Sequence, residues 1–347
     1  MKLKHYIALD LHHTHTVVEA QTFSGGLILH RDIPTEPVYL TDSVKSVRGP
    51  KGVVIEEGPM SDWAMRVLKP YVSEVIICDP HRNRLICGDD QDKNDHLDPG
   101  NLITLYRTGQ LRPVHHPQHQ SMMDLRRWVW LYHDLVDLAA AAMNKIKASY
   151  REVGIQYGQE DVYSPQSRTK WLGQIPRRRL VQDRMEFLYA NLDHLVSRRD
   201  AIRKRLYRMV YRHPVAKRFL AIPGYGKVRA ITFLVIVDTP YRFCSPQKLW
   251  RYGGLGLREK QSSHPEDKQL RRPKRYNRRL KAVAKGAMEM SLIKPKGNAF
   301  LRVYQELLRK GLKEPLARLV LARKMLSVPW GMWKSNSEYN PRLVGEY

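Results

Sequence analysis

The sequence predicts a mixed α/β domain at the N-terminus, a central pair of long helices, and a basic, mainly helical C-terminal domain. Three observations carry this. Short apolar runs separated by turn residues fill roughly the first 80 positions. Two stretches, 121–150 and 181–209, repeat apolar residues at alternating spacings of three and four. Charge is divided unevenly: residues 1–110 hold 12 Lys/Arg against 15 Asp/Glu, whereas residues 111–347 hold 48 against 19. The formal net charge of +26 therefore lies wholly in the second part. A one-sided excess of this size is the footprint of a surface that holds DNA or RNA. A chain of 347 residues has room for two or three domains.

Composition excludes several classes. The cysteines, Cys78, Cys87 and Cys244, are odd in number and lack CxxC spacing, which argues against a disulfide framework or a zinc site. They fit a reducing, cytoplasmic setting. The opening residues Met1–His5 lack the apolar run of a signal peptide, and no stretch approaches a membrane span.

In chain order, Tyr6–Leu11 is an apolar strand that carries Asp10 near its end. Thr16–Gln21 alternates, Ser24-Gly25-Gly26 is a turn, and Leu27–His30 is a third strand. Val53-Val54-Ile55 is a short strand ending at Glu56-Glu57-Gly58-Pro59, Ser61–Leu68 is helical, and Val75–Cys78 is a further strand stopped by Asp79-Pro80. A three-strand meander followed by β-α-β units is the order of a ribonuclease H-like fold. The first domain is placed at 1–118.

Residues 119–212 are read as a helical hairpin. Leu125, Trp128, Tyr132, Leu135, Ala139, Ala142 and Ile146 form one heptad seam, and Val181 to Met209 form a second that only Arg199 interrupts. Gly and Pro break 154–178 into a connector. The third domain, 213–335, is basic and helical. Ile222-Pro223-Gly224-Tyr225-Gly226-Lys227 is a turn between helices: either a tight packing corner or a set of N–H groups for a phosphate, with Gly224, Gly226 and Lys227 as its contacts. Ser245-Pro246 opens a helix that closes at Gly253-Gly254. Residues 258–276 are expected to be a polar loop. Helices are expected at Asn277–Met290, Phe300–Lys310 and Leu316–Ser327, with 329–347 irregular and 336–347 a tail.

Four acids stand out. Asp10 and Glu56 lie at strand ends, and Asp95 and Asp98 share one helix face if that segment is helical. Clustered carboxylates suit Mg²⁺, which takes oxygen ligands, and two such ions about 3.5–4 Å apart support phosphodiester chemistry. Asp89, Asp90 and Asp92 are alternative ligands, and Asp98 is also a natural helix cap before Pro99. His12, His13 and His15 crowd the end of the first strand, either as a solvated strand end or phosphate contacts or as metal ligands and proton carriers.

Further on, Gln261-Ser262-Ser263-His264 precede a run with nine basic residues and no acid: Lys268, Arg271, Arg272, Lys274, Arg275, Arg278, Arg279, Lys281 and Lys285. Such a run is a phosphate-binding surface. A serine beside it is either a polar loop residue or a nucleophile for phosphorus; Tyr252 and Tyr276 are rival hydroxyls.

Taken together these pieces resemble the DEDD insertion-sequence transposases, the bridge-RNA-guided recombinases, over nearly the whole chain. Ile7-Ala8-Leu9-Asp10 is similar to the family's opening strand with its first acid. Val54-Ile55-Glu56-x-Gly58 resembles its second motif, with Glu57 as a competing register. Cys78-Asp79-Pro80-x-x-Asn83 resembles its Asn/Asp-Pro turn, and Lys93-Asn94-Asp95-His96-Leu97-Asp98 its Lys-x-Asp-x-x-Asp signature. The chain continues with Pro99-Gly100 where the family has Ala. Ile222–Gly226, Arg242-Phe243, Leu249-x-x-x-Gly253-Gly254-Leu255 and Asn277-x-x-Leu280-x-x-Val283-x-x-Gly286-Ala287 resemble the family's second domain. In the family a serine lies eight residues after the glycine of the Gly-Leu pair, which is Ser262 here, with Ser263 the lesser candidate.

The resemblance implies a Holliday-junction-resolvase-like first domain with Asp10, Glu56, Asp95 and Asp98 as a Mg²⁺ site that also accepts Mn²⁺. It implies Ser262 as a nucleophile that joins covalently to DNA. It also implies donor and target duplex DNA and a structured guide RNA as partners, a dimer or tetramer, and a prokaryotic, nucleoid-associated protein. Two other readings compete: a metal-dependent, junction-selective nuclease that uses water, and a non-catalytic nucleic-acid assembly protein.

Overall fold

A computed structural model describes residues 3–79, 99–117, 119–176, 178–256, 258–260, 269–271, 275–293 and 298–345, with the two three-residue stretches as backbone only. It divides into two compact units, Met1–His116 and Pro117–Tyr347.

The N-terminal unit holds β1 (His5–Leu11), β2 (His15–Thr22), β3 (Leu27–Pro34), α1 (Pro37–Ser46), β4 (Lys51–Glu56), α2 (Ser61–Leu68), β5 (Glu74–Cys78) and α3 (Pro99–Arg107). The strands form one sheet in the order β3-β2-β1-β4-β5. β1, β2 and β3 are antiparallel neighbours; β4 runs parallel to both β1 and β5. This is the meander followed by a β-α-β unit that the turn residues predict. Successive side chains on a strand point to opposite faces. Ile7, Leu9, Val53 and Ile55 accordingly pack against Leu40 and Val44 of α1 and Ala64 and Leu68 of α2. Tyr6, Ala8 and Val54 face the other way, onto Leu102, Ile103 and Tyr106 of α3. Helices on both faces explain why β4 reads as a continuous apolar run rather than an alternating one. At Gly52 a Cβ would lie 2.0 Å from the Tyr106 hydroxyl. That hydroxyl donates to Glu74 Oε1 at 2.6 Å, so the glycine lets α3 lie close to the sheet.

The C-terminal unit opens with α4 (Gln120–Glu152), the short α5 (Pro165–Leu172) and α6 (Arg179–Arg212). α4 and α6 pack antiparallel: Arg184 reaches Glu152 at 2.7 Å near one end, and the Arg205 guanidinium lies 4.5 Å over the Trp128 ring near the other. The connector is a packed cap rather than a loose link. Val162, Trp171 and Ile175 bury with Ile146, Tyr150, Met185 and Tyr189. Tyr189 donates to the Val162 carbonyl at 2.6 Å, and Arg168 forms a two-point bridge to Asp193 at 2.6 Å.

Next come α7 (Pro214–Phe219), α8 (Lys227–Val237), α9 (Pro246–Tyr252), β6 (Arg258–Lys260), β7 (Gln269–Arg271), α10 (Arg278–Ile293), α11 (Ala299–Arg309) and α12 (Glu314–Lys334). Leu125 and Val129 of α4 and Leu206 and Val210 of α6 join the core of these helices. The foot of the hairpin and the basic helices therefore share one interior. From Ala230 to Val237 α8 is buried throughout, as that nearly all-apolar stretch requires, whereas its first turn carries Lys227 and Arg229.

Two expectations are corrected. The stretch expected to be a polar loop contains an antiparallel ribbon, with Arg258 opposite Arg271 and Lys260 opposite Gln269. The helix expected to end at Ser327 continues through Pro329 to Lys334, and Trp330 and Met332, expected to be irregular, are buried within it. Trp330 Nε1 donates to the Pro240 carbonyl at 2.8 Å. Tertiary packing of the indole outweighs the local penalty of a helical proline.

Candidate active site

β1 and β4 are parallel and paired up to Leu9 opposite Ile55, which sets Asp10 and Glu56 one step further on, at neighbouring carboxyl ends. By the alternation of the strands, both carboxylates lie on the α3 side of the sheet, with Ala8 and Val54. The carboxyl ends of parallel strands are where open α/β sheets bind their ligands. Asp79 follows directly on β5, at the same edge, and donates its amide to the Arg112 carbonyl at 3.0 Å.

Asp10 is mostly shielded, and its Oδ2 lies 3.1 Å from His12 Nε2. The His12 and His15 rings stack with centroids 4.6 Å apart. His12 therefore orients an acid. Glu57, the rival of Glu56, is past the end of β4; its amide donates to the Cys78 carbonyl at 2.9 Å and its carboxylate lies 3.8 Å from His116 Nε2. His116 Nδ1 is 2.7 Å from Asp62 Oδ1 in the first turn of α2. This Asp62–His116–Glu57 cluster beside Glu56 was not legible in the sequence, because no spacing rule links position 116 to position 62. It forms because Pro113 bridges Cys78 and Val114 donates to the Ile77 carbonyl at 2.8 Å, carrying the chain along the sheet edge.

Asp95 and Asp98 lie outside the described residues, as do the alternatives Asp89, Asp90 and Asp92. Among the described residues no group of three His, Cys, Asp or Glu side chains is placed to hold a metal ion. The two carboxylates that are described, hard oxygen donors on one face at adjacent strand ends, fit Mg²⁺ as a partial ligand set.

In the C-terminal unit, Gly224 has φ +90° and a Cβ there would lie 2.0 Å from the Ala287 carbonyl oxygen, so the turn is a close-packing corner against α10. Gly226 caps α8, and Lys227 Nζ stands 4.8 and 5.1 Å over the rings of Tyr207 and Tyr211. Gly254 (φ +68°) lies against Tyr276; a Cβ there would be 2.6 Å from that ring. Gly254 and Gly256 line a cavity of about 250 Å³ together with Lys281 and Lys285. Lys281 Nζ sits 4.3 Å over Tyr276, and Arg242 lies 4.7 Å over Tyr252, whose hydroxyl accepts from Asn277 at 3.2 Å. Both rival tyrosines thus pack against cations.

Ser262, Ser263, Lys268, Arg272 and Lys274 lie outside the described residues, and Arg271 is described by its backbone in β7. Arg275, Arg278 and Lys285 are exposed. Arg279 is committed to a structural tie: it pairs with Asp137 and donates to the His133 carbonyl at 3.5 Å, joining α10 to α4.

Residues 216–303 match the family model described as transposase IS116/IS110/IS902 family. The match runs from α7 into α11 and takes in the glycine corner, Gly253-Gly254, the ribbon and α10. Over 152 residues the chain is also 29% identical to the insertion element IS900 uncharacterized 42 kDa protein of Mycobacterium paratuberculosis. That alignment covers 43% of this chain and 36% of the relative. Among the described residues no helix is long and apolar enough to cross a membrane.

Proposed function

We propose that this chain is a DNA transposase that cuts and rejoins strands of its own insertion element through a serine–DNA link, guided by a structured RNA. The observation that carries the reading is the transposase-family match over 216–303, a stretch that includes Ser262 and the basic run. The adjacency of Asp10 and Glu56 at two parallel strand ends supports the carboxylate half of the chemistry.

In this mechanism Asp10, Glu56, Asp95 and Asp98 would hold Mg²⁺, which would supply Lewis-acid stabilisation of charge on the phosphate oxygens. His12 keeps the Asp10 carboxylate in place. The basic run binds the phosphates on either side of the scissile one. The Ser262 oxygen bonds to phosphorus while the bond from phosphorus to the 3′ oxygen breaks; the serine proton is lost and the departing 3′ oxygen gains one. A 5′-phosphoserine link and a free 3′ hydroxyl result. A 3′ hydroxyl from the exchanged strand then attacks the same phosphorus and releases the serine. One phosphate ester is traded for another at each step, so no ATP is needed. Sequence choice falls to base pairing with the RNA, and the protein reads backbone and shape. The helical hairpin serves assembly into a dimer or tetramer.

The decisive experiment is covalent trapping. The protein, RNA from its own element, Mg²⁺ and labelled cognate DNA are mixed and resolved under denaturing conditions, beside Ser262→Ala and Asp10→Ala. The expected result is a protein–DNA adduct absent from both variants. Cleavage that persists in Ser262→Ala with no adduct would mean a water-using nuclease; binding without any Mg²⁺-dependent product would mean an assembly protein.

A further inference from the structure

Where the foot of the hairpin meets the N-terminus of α8 there is a cavity of about 380 Å³. Among the described residues four cations line it, Arg203 from α6, Lys227 and Arg229 from α8, and Arg279 from α10, and no carboxylate does. Two of the four are partly neutralised from outside, Arg203 by Asp200 at 3.3 Å and Arg279 by Asp137. Lys227 and Arg229 have no ion pair among the described residues. Lys227 is instead held by the faces of Tyr207 and Tyr211. Aromatic faces position an ammonium group without cancelling its charge. Arg229 donates to the Gly224 carbonyl at 3.2 Å, which fixes the guanidinium and leaves it cationic. The first turn of α8 opens on the same cavity at Gly226, and no side chain caps it. Its N–H groups add a positive dipole end.

His133 stands in the cavity wall with its pKa pushed down to about 4, by burial first and then by the Arg279 charge, against the opposing pull of Asp137 and Asp134. Concentrating uncompensated positive charge in one concave site is costly in a folded protein unless an anion takes it up. Tyr132 and Tyr207 line the same wall, so aromatic side chains stand beside the cations, a combination found where proteins hold nucleic-acid strands.

We infer that this cavity seats a backbone phosphate of a bound nucleic-acid strand, with Arg203, Lys227 and the first turn of α8 as its direct contacts. The inference rests on the nucleic-acid reading above and deepens it. It makes the foot of the hairpin part of the nucleic-acid surface, in addition to its proposed part in assembly.

The test is the salt dependence of binding. Full-length protein is titrated by fluorescence anisotropy against duplex DNA, single-stranded DNA and single-stranded RNA of one sequence, over a series of KCl concentrations. Arg203→Gln/Lys227→Gln is measured beside the wild type. Removing one phosphate contact lowers the slope of log affinity against log salt by about 1. The double variant is expected to lose about 1 in slope and roughly 10-fold in affinity near physiological salt, while Lys227→Arg retains the wild-type slope. A loss confined to one oligonucleotide type supports the seat and assigns the strand it takes; a loss in all three supports it as a general phosphate contact. Thermal melts check folding, and Arg203→Gln alone is the fallback if the double variant does not fold. Wild-type binding with unchanged slopes in the folded variants overturns the phosphate seat alone. A wild type that binds none of the three overturns the nucleic-acid reading, and the seat with it.

Discussion

Tyr225 donates its hydroxyl to the Met325 carbonyl at 2.5 Å. That carbonyl is the oxygen Pro329 leaves without its helical partner, because a proline four residues on has no N–H to give. Tyr225 is buried, and burial pushes its phenol pKa up, so it remains a neutral donor. The glycine corner thus holds α12 through its proline. Tyr225→Phe should cost about 1–3 kcal/mol, the penalty of an unsatisfied buried carbonyl. In a Pro329→Ala background, where the amide N–H returns, the cost should be clearly smaller. Urea unfolding of the four proteins measures the coupling, and equal losses in both backgrounds would refute the link.

His133 should make stability depend on pH. Its pKa is held at about 4 in the fold, and its Nε2 lies 3.1 Å from the Thr232 hydroxyl. Burial is the main cause and Arg279 the next; Asp137 and Asp134 oppose the shift. In the unfolded chain the imidazole titrates near pH 6.5. The unfolded state therefore binds the proton more tightly, and stability falls as pH drops from about 6.5 to about 4, by about 3 kcal/mol in all. Denaturant melts at pH 7.5, 5.5 and 4.5 should show a pH-dependent stability difference between wild type and His133→Asn.

His12→Ala tests the support of Asp10. Groups that orient a metal ligand typically contribute about 10- to 100-fold to metal affinity or activity. A drop of that size in Mg²⁺-dependent cleavage is expected, with the melting temperature nearly unchanged, since His12 is a partly exposed residue at a strand end. A variant that cleaves at the wild-type rate across a Mg²⁺ titration would remove His12 from the site.

Gly224→Ala should be among the most damaging single changes in the C-terminal unit. It adds a Cβ at φ +90° and drives it against the Ala287 carbonyl oxygen. Strain at positive φ alone is about 1–3 kcal/mol. A loss above about 2 kcal/mol in thermal or urea unfolding is expected. Gly226→Ala, at a negative φ with open space around it, should cost well under 1 kcal/mol on the scale for replacing a cap glycine.

Much of the architecture was legible because local rules carried it. The alternating runs and the Gly25-Gly26 turn place the meander, and the spacing of three and four places α4 and α6. Ser245-Pro246 opens α9 as expected, the serine hydroxyl accepting from the Lys248 amide. Other elements carry only short local signals. α1 begins with Pro37 at its first turn, and α5 with a Ser164 cap before Pro165, each in a stretch rich in turn residues. The β6–β7 ribbon has no local signature, because three-residue strands leave almost no periodicity.

The sequence by itself determined the class of each segment and the asymmetry of charge. Periodicity and composition are properties of neighbours along the chain, and they survive without knowledge of what packs on what. It also singled out Asp10 and Glu56, since an acid at the end of an apolar strand is costly wherever the strand lies. Only the tertiary structure decided that those two acids end adjacent strands and face the same side. Likewise, only packing decided that Arg279 is tied to Asp137 while Lys227 stays free of any carboxylate among the described residues, and that Tyr225 completes a helix 100 residues away. Each of these depends on contacts between positions far apart in sequence, and no local spacing encodes such contacts.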